Sequence, residues 1–239
     1  MINTDNWIAA TRIALSVSLS CVAFAASADD LPESSDRIKL SINEWTGQHI
    51  TTKVAGNILQ RMGYNVEYVT AGYVPQFTAL SDGSLDVALE IWLSNIGETW
   101  PKARETGNVV EIGSLGLEAK EGWVYPAHMT EFCPGLPDWR GLLEAECIQA
   151  LASADTLPDG RILDYPSDWG QHSIRIINGL ELDFRPISAG SEGALVSELK
   201  AATLKKSPAV AMFWSPHWLF NEIELNWVEL PAFGAVCIQ

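Results

Sequence analysis

The sequence predicts an α/β protein of two lobes with a cleft between them. Two observations carry this prediction. Short apolar strands alternate with helical segments along both halves of the chain, and tryptophans stand at the ends of several strands. Strands joined through helices form parallel sheets, whose ligands bind beyond the carboxyl ends of the strands. The strand-end tryptophans therefore mark the expected cleft.

The first half of the chain reads as strand, helix, strand, helix, strand. Residues 37–43 alternate in a way consistent with a buried strand, and Gly63 ends the helix that follows. The predicted elements are strands at 37–43, 65–69 and 85–92 and helices at 49–62 and 75–81.

The second half shows the same alternation of strands and helices, but its sequence does not repeat that of the first half. Its strands are predicted within 116–125 and at 161–165, 184–187 and 209–214, and its helices at 171–179 and 192–203. We divide the chain into a leader (1–28), lobe 1 (29–115), lobe 2 (116–228) and the start of a crossover back to lobe 1 (229–239).

The first 28 residues resemble a secretory leader. Arg12 precedes an apolar run, 13–25, that is too short to cross a bilayer, and either Ala23-Phe24-Ala25 or Ala26-Ser27-Ala28 offers a small-residue cleavage site. Cys21 leaves a lipoprotein as a minor alternative, because Ser18-Leu19-Ser20 is a poor lipid-attachment context. We expect an exported, periplasmic protein.

Composition and cysteine usage narrow the class further. The net charge of −15 repels phosphate backbones and argues against nucleic acid as a partner. Cys133 and Cys147 flank a turn and are plausible disulfide partners in an oxidising compartment. Cys237 then stands alone near the end of the sequence, and we expect a chain truncated at its C-terminus.

No enzyme signature is found in the sequence. It has no Gly-rich phosphate loop, GxSxG, HExxH or CxxC motif, and its four histidines have no metal-ligand spacing. We therefore expect no metal and no cofactor. A binding protein without enzymatic activity is the leading hypothesis. An exported hydrolase using Asp164, Asp168 or His172 remains the alternative from another class.

Several tryptophans fit a binding role better than a packing role. A quaternary ammonium group has no N–H to donate, so its site relies on aromatic ring faces and close methyl contacts. Packing is the simpler reading for Trp7, Trp100, Trp139, Trp218 and Trp227. The box residues predicted from strand-end or turn positions are Trp45, Trp92, Trp123, Trp214 and Trp169.

Six segments together resemble one family: WTG before a helix, GYNVEYV, DGSLDVALEIW, FCPGLPDW, GSEGAL and FWSPHW. That family is the periplasmic binding proteins for glycine betaine, choline and trimethylamine N-oxide in ABC importers. The resemblance spans about 38–235 and implies a type II periplasmic-binding-protein fold. It also implies a monomer that captures a small quaternary-ammonium or N-oxide ligand for a membrane permease.

In such a family the aromatic box is built from both lobes, which implies a ligand-binding role for Trp45, Trp92, Trp123 and Trp214. Thr46 and Gly47 follow Trp45 where choline binders place a carboxylate, so we expect glycine betaine or the N-oxide before choline. Glu131 and Glu90 are further candidates to balance positive charge. Another organic cation or an amino-acid-like solute remains an alternative ligand.

Overall fold

The computed structural model describes residues 31–170 and 172–232. Its strands are β1 (Arg37–Ile42), β2 (Asn65–Thr70), β3 (Lys120–Pro126), β4 (Gly160–Asp164), β5 (Phe184–Ser188), β6 (Ala211–Ser215) and β7 (Leu225–Trp227). Its α-helices are α1 (Thr46–Arg61), α2 (Gln76–Ser81), α3 (Thr99–Glu105), α4 (Ala145–Leu151), α5 (His172–Gly179) and α6 (Glu192–Lys205). Four short 3-10 helices occur at Ala127–Glu131, Trp139–Leu143, Ser167–Trp169 and Trp218–Asn221. The two-lobed α/β prediction is confirmed.

The first lobe is built on a parallel pair of strands. β1 and β2 run in register from Arg37 opposite Asn65 to Ile42 opposite Thr70. Helix α1 crosses between them and approaches the sheet closely at Gly56, where a Cβ atom would lie 2.3 Å from the Tyr68 hydroxyl. The parallel pairing sets the end of β1, and with it Trp45, at one edge of this sheet.

The third strand predicted at 85–92 is mostly absent. Only Val87 pairs, through an isolated bridge to Leu40. The segment leaves the extended conformation because Glu90 adopts a left-handed backbone, with φ of 56°. Trp92 is held by Tyr73 instead of by a sheet: its N–H donates to the Tyr73 hydroxyl at 2.6 Å, and that hydroxyl donates to the Trp92 carbonyl at 2.8 Å.

The second lobe carries a mixed five-stranded sheet in the order β5-β4-β6-β3-β7. β4, β5 and β6 are parallel, whereas β3 runs antiparallel to both β6 and β7. The start of β3 therefore shares an edge with the ends of β4 and β6. That edge brings Glu121, near the start of β3, opposite Trp214 on β6.

A disulfide joins Cys133 to Cys147, with Cα atoms 4.8 Å apart. Within residues 31–170 and 172–232, no helix is long and apolar enough to cross a membrane. The predicted leader with Cys21, the cleavage site and Trp7 lies outside the described residues, as do Gln171, Cys237 and residues 233–239 of the predicted crossover.

Candidate ligand-binding site

A small aromatic cavity lies where the two lobes meet. Lobe 1 contributes Trp45 and Trp92 to its wall, and lobe 2 contributes the rest. The side chains that line it are Trp45, Trp92, Glu121, Tyr165, Trp169 and Trp214. The wall thus joins five aromatic rings and one carboxylate.

Four of the rings contact one another around Trp169, in three edge-to-face pairs and one tilted pair, Tyr165 with Trp169. Its ring centroid lies 5.1 Å from Trp45, 5.5 Å from Tyr165 and 5.7 Å from Trp214. Tyr165 and Trp214 are 5.6 Å apart at 73°. These separations and angles are those that aromatic quadrupoles favour. The single ring of Trp169 therefore links the first lobe to the second.

The position of Trp169 depends on a close approach between the lobes. Trp169 ends a 3-10 helix, and the next residue, Gly170, has φ of 115°. A Cβ at Gly170 would lie 2.3 Å from the carbonyl oxygen of Asn95 in lobe 1. Only glycine tolerates both the backbone angle and this contact. The loop is tied further by the Val74 N–H, which donates to the Asp168 carbonyl at 3.2 Å.

Glu121 is the charged group of the cavity wall, and it is held from lobe 1. Ser94 Oγ and Asn95 Nδ2 donate to its carboxylate, each at 2.5 Å. His172 Nδ1 lies 3.4 Å from the same carboxylate. Burial acts to raise the pKa of Glu121, but hydrogen bonds from His172, Ser94 and Asn95 outweigh it, and the net pKa lies below its ordinary value. Glu121 is therefore an anion at neutral pH.

Two further polar groups stand in the wall. The indole nitrogen of Trp169 is buried and has no hydrogen-bond partner among the described residues. Burial, followed by the charge of Glu121, raises the pKa of Tyr165 well above its ordinary value, so its hydroxyl keeps its proton. The cavity therefore offers donors as well as ring faces.

A second carboxylate that joins the two lobes lies outside the cavity. Thr46 at the start of α1 donates to the Glu192 carboxylate of lobe 2 from its backbone N–H at 2.7 Å and from its hydroxyl at 2.8 Å. His217 Nε2 lies 2.9 Å from the same carboxylate. The lobes are thus joined through two carboxylates, Glu121 and Glu192.

The predicted box residues divide into two groups. Trp45, Trp92, Trp169 and Trp214 come together in the cavity wall. Trp123 does not line the cavity; it is fully buried in lobe 2, and its indole N–H donates to Ser173 at 3.0 Å. The reason is strand direction, because the start of β3 faces the cleft and Trp123 lies further inside the sheet than Glu121.

The two predicted glutamates also lie apart from the cavity. Glu131 is exposed, at the end of the 3-10 helix that follows β3, which is the opposite edge of the sheet from the cavity. Glu90 does not line the cavity either. It contacts the indole nitrogens of Trp45 and Trp92, at 2.6 and 3.3 Å.

Sequence reasoning missed Glu121 and Tyr165. Tyr165 follows the last residue of β4 and so occupies the kind of strand-end position that singled out Trp92. Glu121 is an acidic residue next to the apolar run of a strand that proved to be buried. Its significance depends on the antiparallel direction of β3, which the sequence pattern did not indicate.

A wider groove of about 1980 Å³ adjoins the aromatic cavity and shares Trp92 and Glu121 with it. Apolar residues from lobe 1 and from the segment 108–119 line much of this groove, including the exposed Ile112 and Leu117. In the smaller cavity, by contrast, the rings of Trp45, Tyr165 and Trp214 all lie within 6 Å of the Trp169 ring. We therefore place the candidate site at the aromatic cavity.

Known proteins resemble this chain in sequence and in fold. The trimethylamine N-oxide-binding protein of Pelagibacter ubique (strain HTCC1062) is 28% identical over 224 residues, which cover 92% of this chain and 71% of that protein.

Two solved structures resemble this fold. Lactococcal OpuAC in its closed-liganded conformation, complexed with glycine betaine, has a TM-score of 0.66 and 21% identity over 81% of this chain and 70% of its own. An ABC-transporter choline binding protein in complex with choline has a TM-score of 0.69 and 22% identity, over 82% and 66%.

Residues 36–235 match the family described as the substrate binding domain of the ABC-type glycine betaine transport system. The matched range includes every residue of the aromatic cavity, and the resemblance inferred from the six sequence segments is confirmed. The chain belongs to this family of substrate-binding domains of ABC-type glycine betaine transport systems.

Proposed function

We propose that this protein captures a small methylated ammonium compound between its lobes, in the periplasm, and delivers it to the permease of an ABC importer. One observation carries the proposal: Trp45 and Trp92 from lobe 1 meet Trp169 and Trp214 from lobe 2 around one cavity. Desolvated ring faces contribute about 2 kcal/mol each towards a cation. Four faces approach the roughly 8 kcal/mol of a micromolar complex before the costs of association are subtracted.

Trimethylamine N-oxide is the ligand that suits the cavity best. The cavity wall consists of four indole rings, one phenol and one carboxylate, and ring faces suit a trimethylated nitrogen. An N-oxide adds only a single accepting oxygen to its three methyl groups, so it needs few donors beside those faces. The unpartnered indole N–H of Trp169 and the protonated hydroxyl of Tyr165 are available to its single accepting oxygen.

Glycine betaine is the next candidate, since it carries the same trimethylated nitrogen. Choline is favoured by one observation that sequence reasoning lacked: the Glu121 carboxylate lines the cavity and can accept a hydroxyl. The absence of a carboxylate directly after Trp45 argues the other way, so we rank choline third. Other organic cations come after these three.

We further propose that the protein is a monomer, with lobes at 29–115 and 116–228, and that it carries out no chemistry and binds no nucleic acid. The sheet partners support the division, since strands before residue 115 pair only with each other in the described chain. The hydrolase alternative has less support, because one of its candidate groups, His172, contacts Asn95 and Glu121 where the lobes meet, at 3.0 and 3.4 Å.

Titration calorimetry with trimethylamine N-oxide, glycine betaine and choline, run in parallel with tryptophan fluorescence, tests the proposal. We expect the N-oxide to bind most tightly and to shift the indole emission. Well-folded protein that neither releases heat nor changes its emission with any of the three ligands would refute the assignment. Turnover of ester or amide substrates would instead favour the hydrolase.

A further inference from the structure

Glu90 contacts both tryptophans of lobe 1 without lining the cavity. Its Oε1 atom accepts the indole N–H of Trp45 at 2.6 Å and that of Trp92 at 3.3 Å. Its Oε2 atom accepts the Thr51 hydroxyl at 3.1 Å. One carboxylate thus joins the two rings that lobe 1 presents to the cavity.

Such a contact fixes the orientation of both rings. An indole turns about two side-chain bonds, and anchoring its nitrogen removes most of that freedom. A ring anchored before the ligand arrives does not have to be ordered during binding, which increases affinity. Trp45 and Trp92 are therefore preorganised by one acceptor that belongs to their own lobe and does not line the cavity.

The surrounding backbone is arranged for this contact. Glu90 adopts a left-handed conformation that non-glycine residues rarely take, and this turns its side chain out of the extended direction of the segment. Gly47 leaves the space that the carboxylate fills, since a Cβ there would lie 3.0 Å from Glu90 Oε1. The backbone of Trp92 is held by Tyr73 at the same time. The backbone conformation of Glu90 and the space left at Gly47 both favour this contact.

The charge of Glu90 also acts on the rings. Among the described residues, no lysine or arginine lies within 4 Å of its carboxylate. An indole N–H that donates to an anion is polarised, and the ring face becomes more negative. A more negative face attracts a methylated cation more strongly.

We propose that Glu90 is a positioning residue of the binding site, which orients the indoles of Trp45 and Trp92 and polarises them towards a cationic ligand. The proposal rests on the proposed function for its ligand but not for its geometry. It gives a structural reason for the sequence Trp45-Thr46-Gly47: the first residue forms the wall, and the third leaves room for the carboxylate that holds it.

The test compares Glu90→Ala and Glu90→Gln with the wild-type chain. The matched control is Glu44→Ala, which removes a carboxylate from the exposed residue just before Trp45. Binding of trimethylamine N-oxide and glycine betaine is measured by calorimetry, and the indole N–H signals of Trp45 and Trp92 by ¹H–¹⁵N NMR. Thermal unfolding verifies that each variant is folded.

We expect Glu90→Ala to weaken the binding of the tighter probe at least tenfold and to move both indole N–H signals upfield. Glu90→Gln keeps an acceptor oxygen of the same reach but no charge, and should recover part of the affinity. Glu44→Ala should match the wild type. Affinity within twofold of wild type for Glu90→Ala, or two unmoved indole signals, would overturn the proposal.

One further variant and one further measurement keep the test decisive. If Glu90→Ala does not fold, Gly47→Ala crowds the carboxylate without deleting it and should shift the same two signals. If the wild type binds neither probe, the proposed function fails, while the indole signals of Glu90→Gln still test whether Glu90 holds the rings.

Discussion

Glu192 in lobe 2 accepts two hydrogen bonds from Thr46 in lobe 1, from the backbone N–H and from the hydroxyl. Helix α1 has no acidic residue in its first turn, so Glu192 supplies from the other lobe the negative charge that a helix N-terminus favours. His217 holds this carboxylate as well. Its Nδ1 accepts the Leu219 N–H at 3.0 Å, so the proton on Nε2 is the one donated to Glu192.

The first prediction concerns this contact as a latch between the lobes. Thr46→Val keeps the shape of the side chain but removes the hydroxyl bond to Glu192. Hydrogen bonds to charged groups contribute about 1.5–3 kcal/mol, so we expect ligand affinity to fall roughly tenfold, which is about 1.4 kcal/mol. Calorimetry measures the loss, and Thr78→Val, an exposed threonine of the same lobe, is the control. Equal affinities for the two variants would contradict the latch.

The second prediction is a pH dependence of the same carboxylate. Burial acts to raise the pKa of Glu192, but hydrogen bonds from His217 and Thr46 prevail and hold it below the ordinary value of 4.5. A depressed folded-state pKa means that the stabilisation is fully present above pH 4.5 and is lost as the pH falls through the lowered pKa.

Thermal unfolding of the wild type and of Glu192→Gln between pH 7 and pH 3 checks this. We expect the wild type to be the more stable protein at pH 7 and the difference between the two to shrink below pH 4.5. A difference that stays constant over the whole range would show that the charge of Glu192 does not contribute to stability.

The third prediction separates the wall of the cavity from the core of lobe 2. Trp214→Ala and Trp92→Ala remove ring faces that line the cavity, and each should weaken binding at least tenfold. Trp123→Phe should leave affinity within twofold of wild type, because Trp123 lies outside the wall. It should instead lower the free energy of unfolding by at least about 1 kcal/mol, through the lost bond to Ser173 and the space left in the core.

Calorimetry and chemical denaturation together distinguish these effects. A large loss of affinity in Trp123→Phe would place that ring back in the binding site. Unchanged affinity in both alanine variants would mean that the cavity rings only pack the interface between the lobes.

The fourth prediction concerns the disulfide of lobe 2. Cys133 and Cys147 are 14 residues apart, and closing a loop of about 15 residues stabilises a fold by about 3 kcal/mol through the unfolded chain. The double variant Cys133→Ala/Cys147→Ala should lose stability of this order while keeping its ligand affinity, since the bond is remote from the cavity wall. Denaturant unfolding and calorimetry measure the two quantities. An undiminished free energy of unfolding would refute the prediction.

The sequence predicted the elements whose periodicity is local. β1, α1, β2 and α6 lie within a few residues of their predicted ranges, because alternation and helical spacing reflect burial along a single segment. The strand predicted at 85–92 was wrong beyond its single bridge at Val87. Its apolar run is typical of a strand. The left-handed backbone of Glu90 and the hydrogen bonds between Tyr73 and the Trp92 backbone are tertiary features that no local pattern indicates.

For the candidate site, the strand-end and turn positions of the indoles in the sequence predicted the four tryptophans that line the cavity, and Trp123 in addition. The sequence by itself therefore determined the fold class, the family and the chemistry of ring faces. Only the tertiary structure decided which residues meet. The antiparallel direction of β3 brings Glu121 to the cavity and keeps Trp123 in the core, and the contact between lobes sets Glu192 on Thr46. Strand direction and contacts between the lobes bring together residues that are far apart in the chain. The local sequence around each of these residues does not indicate which distant residue it will contact.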